Sequence, residues 1–396
     1  MDRQKRRKTA KEADLKYRPL RSLRLSVTDR CNLRCRYCMP EQNYRWLPRP
    51  SILRFEEMIE VVKIAQRFGV EKVRITGGEP LLRGELEKFV AQLTGLDQPL
   101  TSVALTTNGL LLPQQAQRLW NAGLRNLTVS LDSLRPQTFE LMSQREGLHH
   151  VLEGLAKSRD LGFEGIKLDT VVVRGQNDGQ LLELLDFARE NCHEIRFIEY
   201  MDVAGATCWS PELVVPKSEM LAIIEAAHGP VECVAGRGSA PAERYRLSDG
   251  TVFGIIASTS EPFCGRCDRA RVTADGHWLT CLYAKQGLPL RDLLRSSGVM
   301  AVEQAIRSSW QGRSDQGALD RLSTPSRSSS PRSTPARPSP TTCPSTSSCA
   351  AARSTSTSML NRCPFGNVDA KPLRDPECTT VASWKLLGIL SDVLTP

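Results

Sequence analysis

The sequence LRLSVTDRCNLRCRYC, residues 23–38, joins a strand pattern to three closely spaced cysteines. Its first part, Leu23–Val27, alternates apolar and polar residues, which predicts a β-strand. Five more runs of strand composition follow: Lys72–Thr76, Ser102–Thr106, Asn126–Leu131, Ile166–Val173 and Ile195–Tyr200. Amphipathic helical patterns lie between them: Phe55–Phe68, Glu85–Leu96, Pro113–Ala122, Leu148–Leu161 and Asp178–Glu190. This alternation predicts an α/β fold with a parallel sheet, and six strands suit an open doubly wound sheet or a partial TIM-type barrel.

The three cysteines of this stretch, Cys31, Cys35 and Cys38, form the strongest chemical signal in the chain. Three thiolates within eight residues can reach one centre, and their softness favours zinc or an iron–sulfur cluster. A structural zinc site requires a fourth ligand, but no His or Cys lies between Met39 and His149. Three cysteines on a four-iron cluster would instead leave one iron open to a small molecule.

Polar residues and glycines collect where the predicted strands end. They are Gly77, Gly78, Glu79 and Pro80 after the second strand, Thr106–Gly109 after the third, Ser130 and Asp132 after the fourth, and Glu199 and Met201 after the sixth. The carboxyl ends of parallel strands form the ligand-binding edge of such sheets. A glycine such as Gly78 lets the backbone approach a ligand closely, and Glu79 can accept a hydrogen bond from an ammonium group.

The pattern changes after Met201. A helix is predicted at Ser218–Ala227 and a hairpin at Tyr245–Ile256, so this part of the chain has an α+β character. It carries a second set of three thiols, Cys264, Cys267 and Cys281. The spacing of these cysteines alone suggests a zinc site, but the missing fourth ligand argues against a closed one. Another interpretation is that the three cysteines are unrelated buried thiols.

Composition and charge exclude several classes of protein. The 396 residues are 40% hydrophobic and 24% charged, as in soluble globular proteins. No apolar run is long enough to span a membrane, and no secretory signal follows the basic start, so we expect a cytoplasmic protein whose cysteines bind metal. Of the net charge of +9, residues 1–24 carry +7 and residues 323–396 carry +4, which leaves −2 for the middle. A nucleic-acid-binding body would be basic, so we predict no nucleic-acid partner and no membrane partner.

The run from Cys31 to Cys38 resembles the signature of the radical S-adenosylmethionine (SAM) enzymes. The resemblance implies that the three cysteines hold a [4Fe–4S] cluster, whose open iron binds the amino and carboxylate groups of SAM. It places Tyr37 near the adenine, and it assigns Gly78 and Glu79 to the loop that holds the SAM amino group.

With the second cysteine set, the chain resembles the GTP 3′,8-cyclases of molybdenum cofactor biosynthesis. The motifs that carry this resemblance lie between about Arg21 and Leu322: LRLSVTDRC at 23–31, VRITGGEP at 73–80, TTNG at 106–109, VSLD at 129–132, RFIEYM at 196–201, and FC-x2-C-x-RAR at 263–271. The family fold is a partial (βα)6 barrel followed by a C-terminal region that carries a second [4Fe–4S] cluster on Cys264, Cys267 and Cys281. The predicted regions are a basic flexible tail at 1–20, the barrel at 21–215, the auxiliary-cluster region at 216–322 and a low-complexity tail at 323–396.

The resemblance also implies roles for individual residues. The predicted SAM contacts are Tyr37, Gly78, Glu79, Ser130 and Met201, and the predicted GTP contacts are Arg24, Arg74, Thr106, Lys167, Arg269, Ala270 and Arg271. Fixed cations suit a triphosphate, because Arg offers bidentate contacts and Lys a point charge. A deoxyadenosyl radical would abstract the ribose C3′ hydrogen, and the carbon radical would attack guanine C8. Implied partners are a cyclic pyranopterin monophosphate synthase and an electron donor of flavodoxin or ferredoxin type, and a homodimer is compatible with the resemblance.

Two features depart from the family. Asp169 stands where family members often have Asn, which adds a negative charge near the substrate phosphates. The family ends in a Gly-Gly pair that reaches the active site, whereas this chain ends Leu394-Thr395-Pro396 and similarity stops near Leu322. Of residues 323–358, 26 of 36 are Ser, Thr or Pro, so we expect disorder and no contribution to stability. Without the Gly-Gly end, we also expect weak turnover of GTP. A reading-frame change in GC-rich coding sequence would produce this composition.

Two rival functions remain at the level of sequence. A radical SAM enzyme that modifies peptides and carries an auxiliary cluster would need no triphosphate pocket, so Arg74, Lys167 and Arg269 discriminate against it. A zinc-binding structural protein would lack iron and colour.

Overall fold

A computed structural model of the chain describes residues 13–41, 43–163, 165–203 and 209–323. The predicted tail at 323–396 lies outside the described residues from 324 onward. In the part of the chain that is described, no helix is long and apolar enough to cross a membrane.

Six parallel strands follow the predicted order and bounds to within one or two residues. They are β1 (Ser22–Ser26), β2 (Lys72–Thr76), β3 (Ser102–Thr107), β4 (Asn126–Ser130), β5 (Lys167–Val172) and β6 (Glu194–Glu199). The helices between them are α1 (Phe55–Arg67), α2 (Leu86–Thr94), α3 (Leu112–Asn121), α4 (Pro136–Ser143), α5 (Leu148–Asp160) and α6 (Leu181–Glu190). Among these helices, the sequence interpretation missed only α4. Its eight residues show little amphipathic pattern, and the helical signal that it does carry is a proline at the first helical position.

The C-terminal region adds strands to both edges of this sheet. Its elements are α7 (Lys217–His228), β7 (Glu232–Cys233), β8 (Glu243–Arg246), β9 (Val252–Ile256), β10 (Arg269–Val272), β11 (His277–Leu279), β12 (Leu288–Pro289), α8 (Leu290–Gln311) and α9 (Gly317–Ser323). The predicted hairpin is β8–β9. Strand β9 pairs in parallel with β6, and β10 pairs in parallel with β1. The strand order is therefore β12-β11-β10-β1-β2-β3-β4-β5-β6-β9-β8-β7, so the two predicted regions share one twelve-stranded sheet.

Alternation along the strands separates an apolar face from a polar one. Leu23 and Leu25 in β1 and Val73 in β2 belong to the large core that the helices cover. The residues between them, such as Arg24 and Arg74, point to the opposite face, because successive side chains of a strand alternate. The polar residues that the sequence places on strands thus meet inside the curve of the sheet.

The N-terminal boundary differs from the prediction. Residues 13–20 were expected in the flexible tail, but Asp14, Arg18 and Leu20 are buried. The Arg18 guanidinium bonds to the Asp14 carboxylate at 2.5 Å and donates to the carbonyl oxygens of Cys264 at 3.1 Å and Asp315 at 2.8 Å. The prediction was wrong for this short segment because its charges are paired inside the fold rather than solvated.

Candidate active site

The first cysteine set lies in the loop after β1. The backbone amides of Cys38 and Met39 both donate to the Cys35 carbonyl oxygen, at 2.9 and 2.8 Å, which turns the loop tightly. Cys31 accepts from the backbone amide of Leu33 at 3.4 Å. All three cysteines line one cavity of about 670 Å³ together with the predicted SAM contacts Tyr37, Gly78 and Ser130.

Burial makes these three thiols poor thiolates on their own. It raises the pKa of Cys31 to about 11, with the nearby Glu79 carboxylate adding to the effect. The pKa values of Cys35 and Cys38 are also raised, first by burial and then by neighbouring thiols and Asp132. A cationic ligand is therefore needed to hold all three as thiolates, which fits the donor set of an iron–sulfur cluster.

The Gly-Gly-Glu-Pro loop is built around the cysteine loop. The backbone amide of Gly78 donates to the Thr28 carbonyl oxygen at 2.8 Å, and that of Glu79 donates to the Arg30 carbonyl oxygen at 2.7 Å. A Cβ atom on Gly77 would lie 2.8 Å from the Thr28 oxygen, and one on Gly78 would clash with Arg30. The glycines are therefore required for packing of backbone on backbone, in addition to any approach to a ligand.

Glu79 is fully buried and its carboxylate already has protein donors. It accepts hydrogen bonds from the backbone N–H of Leu81 at 2.9 Å, the Thr107 hydroxyl at 2.7 Å and the backbone N–H of Asn108 at 2.7 Å. Burial outweighs these bonds and raises the pKa of Glu79 to about 7. The structure gives Glu79 the role of joining the loops after β2 and β3, and its predicted bond to the SAM ammonium stays a prediction.

Tyr37 is held at the wall of the first cavity. Its hydroxyl donates to Asp132 at 2.5 Å, and Asp132 also accepts from the Val171 amide at 2.9 Å. Burial raises the pKa of Asp132 to about 6, against the opposing effect of these bonds. The ring of Tyr37 is consequently fixed beside the cysteines, and its predicted packing near the adenine stays a prediction.

The second cysteine set lines a separate cavity, also of about 670 Å³. Cys264, Cys267 and Cys281 share its wall with Met201 and five arginines: Arg18, Arg24, Arg269, Arg271 and Arg313. Burial alone would raise the pKa of Cys267, but Arg269, Arg313 and Arg271 outweigh it and lower the pKa to about 6. The pKa of Cys281 is raised, mainly by burial and then by Asp315.

Three arginines form a row across adjacent strands. In the register of the sheet, Arg271 of β10 lies beside Arg24 of β1, and Arg24 lies beside Arg74 of β2. Arg24 and Arg271 are buried, and Arg74 donates to the hydroxyls of Thr106 at 3.0 Å and Thr128 at 2.9 Å. Like charges side by side repel each other, so a negative charge nearby stabilises this arrangement.

The row opens into a basic cavity of about 1070 Å³ at the amino-terminal ends of the strands. Seven of its sixteen lining residues are cations: Arg21, Arg24, Lys72, Arg74, Arg196, Arg237 and Arg269. Sequence reasoning missed four of these cations: Arg21, Lys72, Arg196 and Arg237. Alternation along β2 could have revealed Lys72, because it is two residues from Arg74 and shares its face. Alternation along β6 could have revealed Arg196 in the same way.

Two further predicted nucleotide contacts, Lys167 and Ala270, lie in different surroundings. Lys167 is close to Arg196 and Arg74, and its pKa is lowered, first by burial and then by Arg196. Ala270 has its side chain in the hydrophobic core, so only its backbone could contact a nucleotide. That placement keeps Arg269 and Arg271 together on the other face of β10.

Met201 connects the two cysteine cavities. It is buried with Val203, and Cys38 of the first set packs against this pair, as do Leu282 and Tyr283 beside the second set. Met201 itself lines the second cavity, and its predicted contact with SAM stays a prediction.

The cysteine sets do not converge on a point. In the described ranges, no group of three or more His, Cys, Asp or Glu side chains could hold a metal ion. A cluster of several irons is larger than one ion and accepts thiolates spread around a cavity.

Comparisons with known proteins agree with this geometry. The family model of the Radical SAM superfamily matches residues 25–188, and that of Molybdenum Cofactor Synthesis C matches residues 193–319. The fold and the first cysteine set thus define a radical SAM protein.

Comparison with curated relatives identifies the family within the radical SAM proteins. GTP 3′,8-cyclase 3 of Mycobacterium bovis is 49% identical over 309 residues, which cover 77% of this chain and 82% of the relative. GTP 3′,8-cyclase 1 of Mycobacterium tuberculosis is 48% identical over 309 residues, covering 77% and 86%. GTP 3′,8-cyclase of Xanthomonas axonopodis pv. citri is 42% identical over 324 residues, covering 81% and 96%. The chain belongs to the GTP 3′,8-cyclase family.

A solved structure supports the fold alone. SuiB of Streptococcus suis, bound to the precursor peptide SuiA, superposes with a TM-score of 0.50 at 16% identity, covering 74% of this chain and 67% of that one. Identity this low carries no argument for a peptide substrate here.

Proposed function

We propose that this chain carries out the reaction of its family, the radical SAM cyclisation of GTP to (8S)-3′,8-cyclo-7,8-dihydroguanosine 5′-triphosphate. This is the first step of molybdenum cofactor biosynthesis. The observation that carries the proposal is the row Arg271–Arg24–Arg74, which faces a basic cavity on one side and the second cysteine cavity on the other.

The first cavity would hold a [4Fe–4S] cluster on Cys31, Cys35 and Cys38, with SAM against Tyr37, Gly78, Ser130 and Met201. Once reduced, this pair supplies the 5′-deoxyadenosyl radical that takes the C3′ hydrogen of the ribose. The protein's own part is to orient the nucleotide and exclude water, because Tyr37 is buried in the wall of the first cavity and Met201 in the wall of the second.

The arginine row binds and orients the triphosphate. Arg74 is held by Thr106 and Thr128, so its guanidinium is positioned before the nucleotide arrives. Preorganised cations lose little entropy on binding, which favours tight and oriented binding of phosphate. Lys167 and Arg269 complete the contacts, whereas the peptide-modifying alternative has no use for so many cations at one edge.

In the second cavity, Cys264, Cys267 and Cys281 would hold an auxiliary [4Fe–4S] cluster, which would leave an iron open to bind the guanine base. The lowered pKa of Cys267, to about 6 under the influence of its arginines, supports ligation by thiolate. The same arginines would offset the negative charge of a thiolate-ligated cluster.

Anaerobic purification with iron and sulfide analysis, followed by incubation with GTP, SAM and a reductant, tests the proposal. We expect two four-iron clusters per chain, 5′-deoxyadenosine and a cyclised triphosphate identified by mass spectrometry. Stoichiometric zinc in place of iron, or release of 5′-deoxyadenosine with GTP left intact, would contradict it.

The cyclic product would pass to a cyclic pyranopterin monophosphate synthase, with electrons from a flavodoxin- or ferredoxin-type donor. These partners, a homodimer and a cytoplasmic location stay predictions. The weak turnover expected from residues 323–396 also stays a prediction, because it concerns residues almost all outside the described ranges.

A further inference from the structure

Asp169 is a buried carboxylate without a partner. Only 2% of the residue is exposed, and among the described residues neither Oδ1 nor Oδ2 accepts a hydrogen bond. A buried polar group without a hydrogen-bond partner typically indicates a ligand, an ordered water or a functional role. The cations Arg196, Arg74, Arg24 and Lys167 surround it, yet none of them donates to it, and burial raises the pKa of Asp169 to about 7.

The register of the sheet places Asp169 between two parts of the active site. On one side it lies beside Ser130 of β4, which lines the first cysteine cavity. On the other side it lies beside Arg196 of β6, which lines the basic cavity. A nucleotide whose phosphates occupy the basic cavity and whose C3′ hydrogen must face the first cavity has its ribose between these two neighbours.

We propose that Asp169 binds the ribose hydroxyls of the nucleotide and distinguishes ribonucleoside from deoxyribonucleoside triphosphates. This inference rests on the proposed GTP site and adds a specificity-determining residue to it.

The chemistry of the carboxylate selects the hydroxyls. Above its pKa of about 7 the Asp169 carboxylate is ionised and only accepts hydrogen bonds, so it cannot pair with phosphate oxygens. The guanine edge also has donors, but the proposed base site is the second cysteine cavity, whose lining does not include Asp169. A vicinal diol offers two donors to two oxygens, and acidic side chains serve this purpose in other nucleotide sites.

The test is anaerobic calorimetry on the full-length, cluster-reconstituted chain with GTP, 2′-deoxy-GTP and 3′-deoxy-GTP. The variants are Asp169→Ala, Asp169→Asn and the control Asp268→Asn. Asp268 also lines the basic cavity, but its carboxylate accepts from the Ser239 hydroxyl at 2.6 Å, so the control removes a nearby charge without an orphaned acceptor.

We expect the unmodified chain to bind GTP about ten- to a hundredfold more tightly than at least one deoxy analogue, as for a hydrogen bond to a charged group. Asp169→Ala should reduce this preference to less than about threefold. Asp169→Asn keeps one acceptor oxygen and the shape of the side chain, so it should retain part of the preference. Asp268→Asn should shift the affinities for all three nucleotides alike.

Two results would overturn the inference while leaving the GTP site intact. One is equal affinity of the unmodified chain for GTP and both deoxy analogues. The other is an unchanged preference in Asp169→Ala, or a parallel shift for all three nucleotides, which would make Asp169 only a countercharge to its four cations. If the unmodified chain binds no GTP at all, the proposed function fails and this inference fails with it.

Discussion

The two cysteine cavities use the same three-thiol ligand set in opposite electrostatic surroundings. Around Cys31, Cys35 and Cys38, burial dominates and the pKa of each thiol is raised. Around Cys267, three arginines outweigh burial and lower its pKa to about 6. The first cavity is lined by apolar and neutral polar groups with one acid, Asp132, whereas five arginines line the second.

This difference matches the ligands that the two cavities must accept. S-adenosylmethionine carries a sulfonium and an ammonium, so a wall of arginines would repel it. GTP carries a triphosphate, which the cations near the second cavity and along the adjoining row Arg271–Arg24–Arg74 would attract and orient. In the proposed function, one sheet would therefore separate a cationic cofactor from an anionic substrate by the side chains of neighbouring strands.

The largest expected effect comes from removing one ligand from each set. Cys35→Ala should abolish cleavage of SAM, because the first cluster is lost. Cys267→Ala should keep the first cluster and some SAM cleavage but lose GTP cyclisation. Iron, sulfide, 5′-deoxyadenosine and cyclised nucleotide are measured in the same preparations. The exposed Cys192, replaced by Ala, is the matched control and should change none of them. Loss of SAM cleavage in both ligand variants would remove the functional distinction between the cavities.

The next effect concerns the triphosphate. Arg74→Ala or Lys167→Ala removes a charge-assisted contact, which is expected to weaken GTP binding by about 1.5–3 kcal/mol, roughly tenfold to over a hundredfold. Calorimetry should show that SAM binding changes little, because both residues lie on the substrate side. Arg118→Ala, on the outer helix α3, is a suitable control. Unchanged GTP affinity in both variants would contradict the assignment of the pocket.

A third prediction concerns Asp169, which lies between the two sides. Its pKa is about 7 when folded and near 3.8 when unfolded, so the folded chain binds the extra proton between these values. Its contribution to stability is therefore present at low pH and is lost as pH rises towards 7. Asp169→Asn should already be more stable than the unmodified chain at pH 5 and more so at pH 8, with a further relative gain of about 2 to 3 kcal/mol between the two.

Urea denaturation of both chains at the two pH values measures this gain. Glu79 and Asp132 also have raised pKa values, but they are present in both chains and cancel in the difference. A difference in stability that does not vary with pH would show that Asp169 does not titrate in this range.

The smallest effect concerns thiol reactivity in the cluster-free protein. At pH 5.5 Cys267 should be alkylated while Cys31, with a pKa of about 11, is not. Arg269→Gln removes the cation with the largest effect on Cys267, so alkylation there should slow about five- to tenfold at this pH. Mass spectrometry of the labelled peptides gives both rates. Arg266 is exposed and adjacent to Cys267, so Arg266→Gln should have little effect on the alkylation rate. Equal slowing of Cys267 alkylation in both variants would contradict the role of Arg269.

Much of the fold and of the chemistry follows from local sequence pattern. The period of apolar residues predicted six strands and most of the helices, because burial on one face imposes that period on any amphipathic element. The run from Cys31 to Cys38 is short enough that its ligands meet wherever the loop lies, so its chemistry can be inferred before the fold is known. The resemblance of the motifs then indicated the family, which the relatives confirm.

The sequence alone could not determine which distant groups become neighbours. Arg271 joins Arg24 and Arg74 only because β10 returns to pair with β1, and that register depends on the packing of the whole C-terminal region. The environment of Asp169 likewise comes from four strands at once. Local pattern states which face a residue occupies, whereas its electric field and hydrogen-bond partners depend on contacts between segments far apart in the chain. Only the tertiary structure therefore decided that one set of thiols is surrounded by arginines, that the other is not, and that a carboxylate without a partner lies between the two sides.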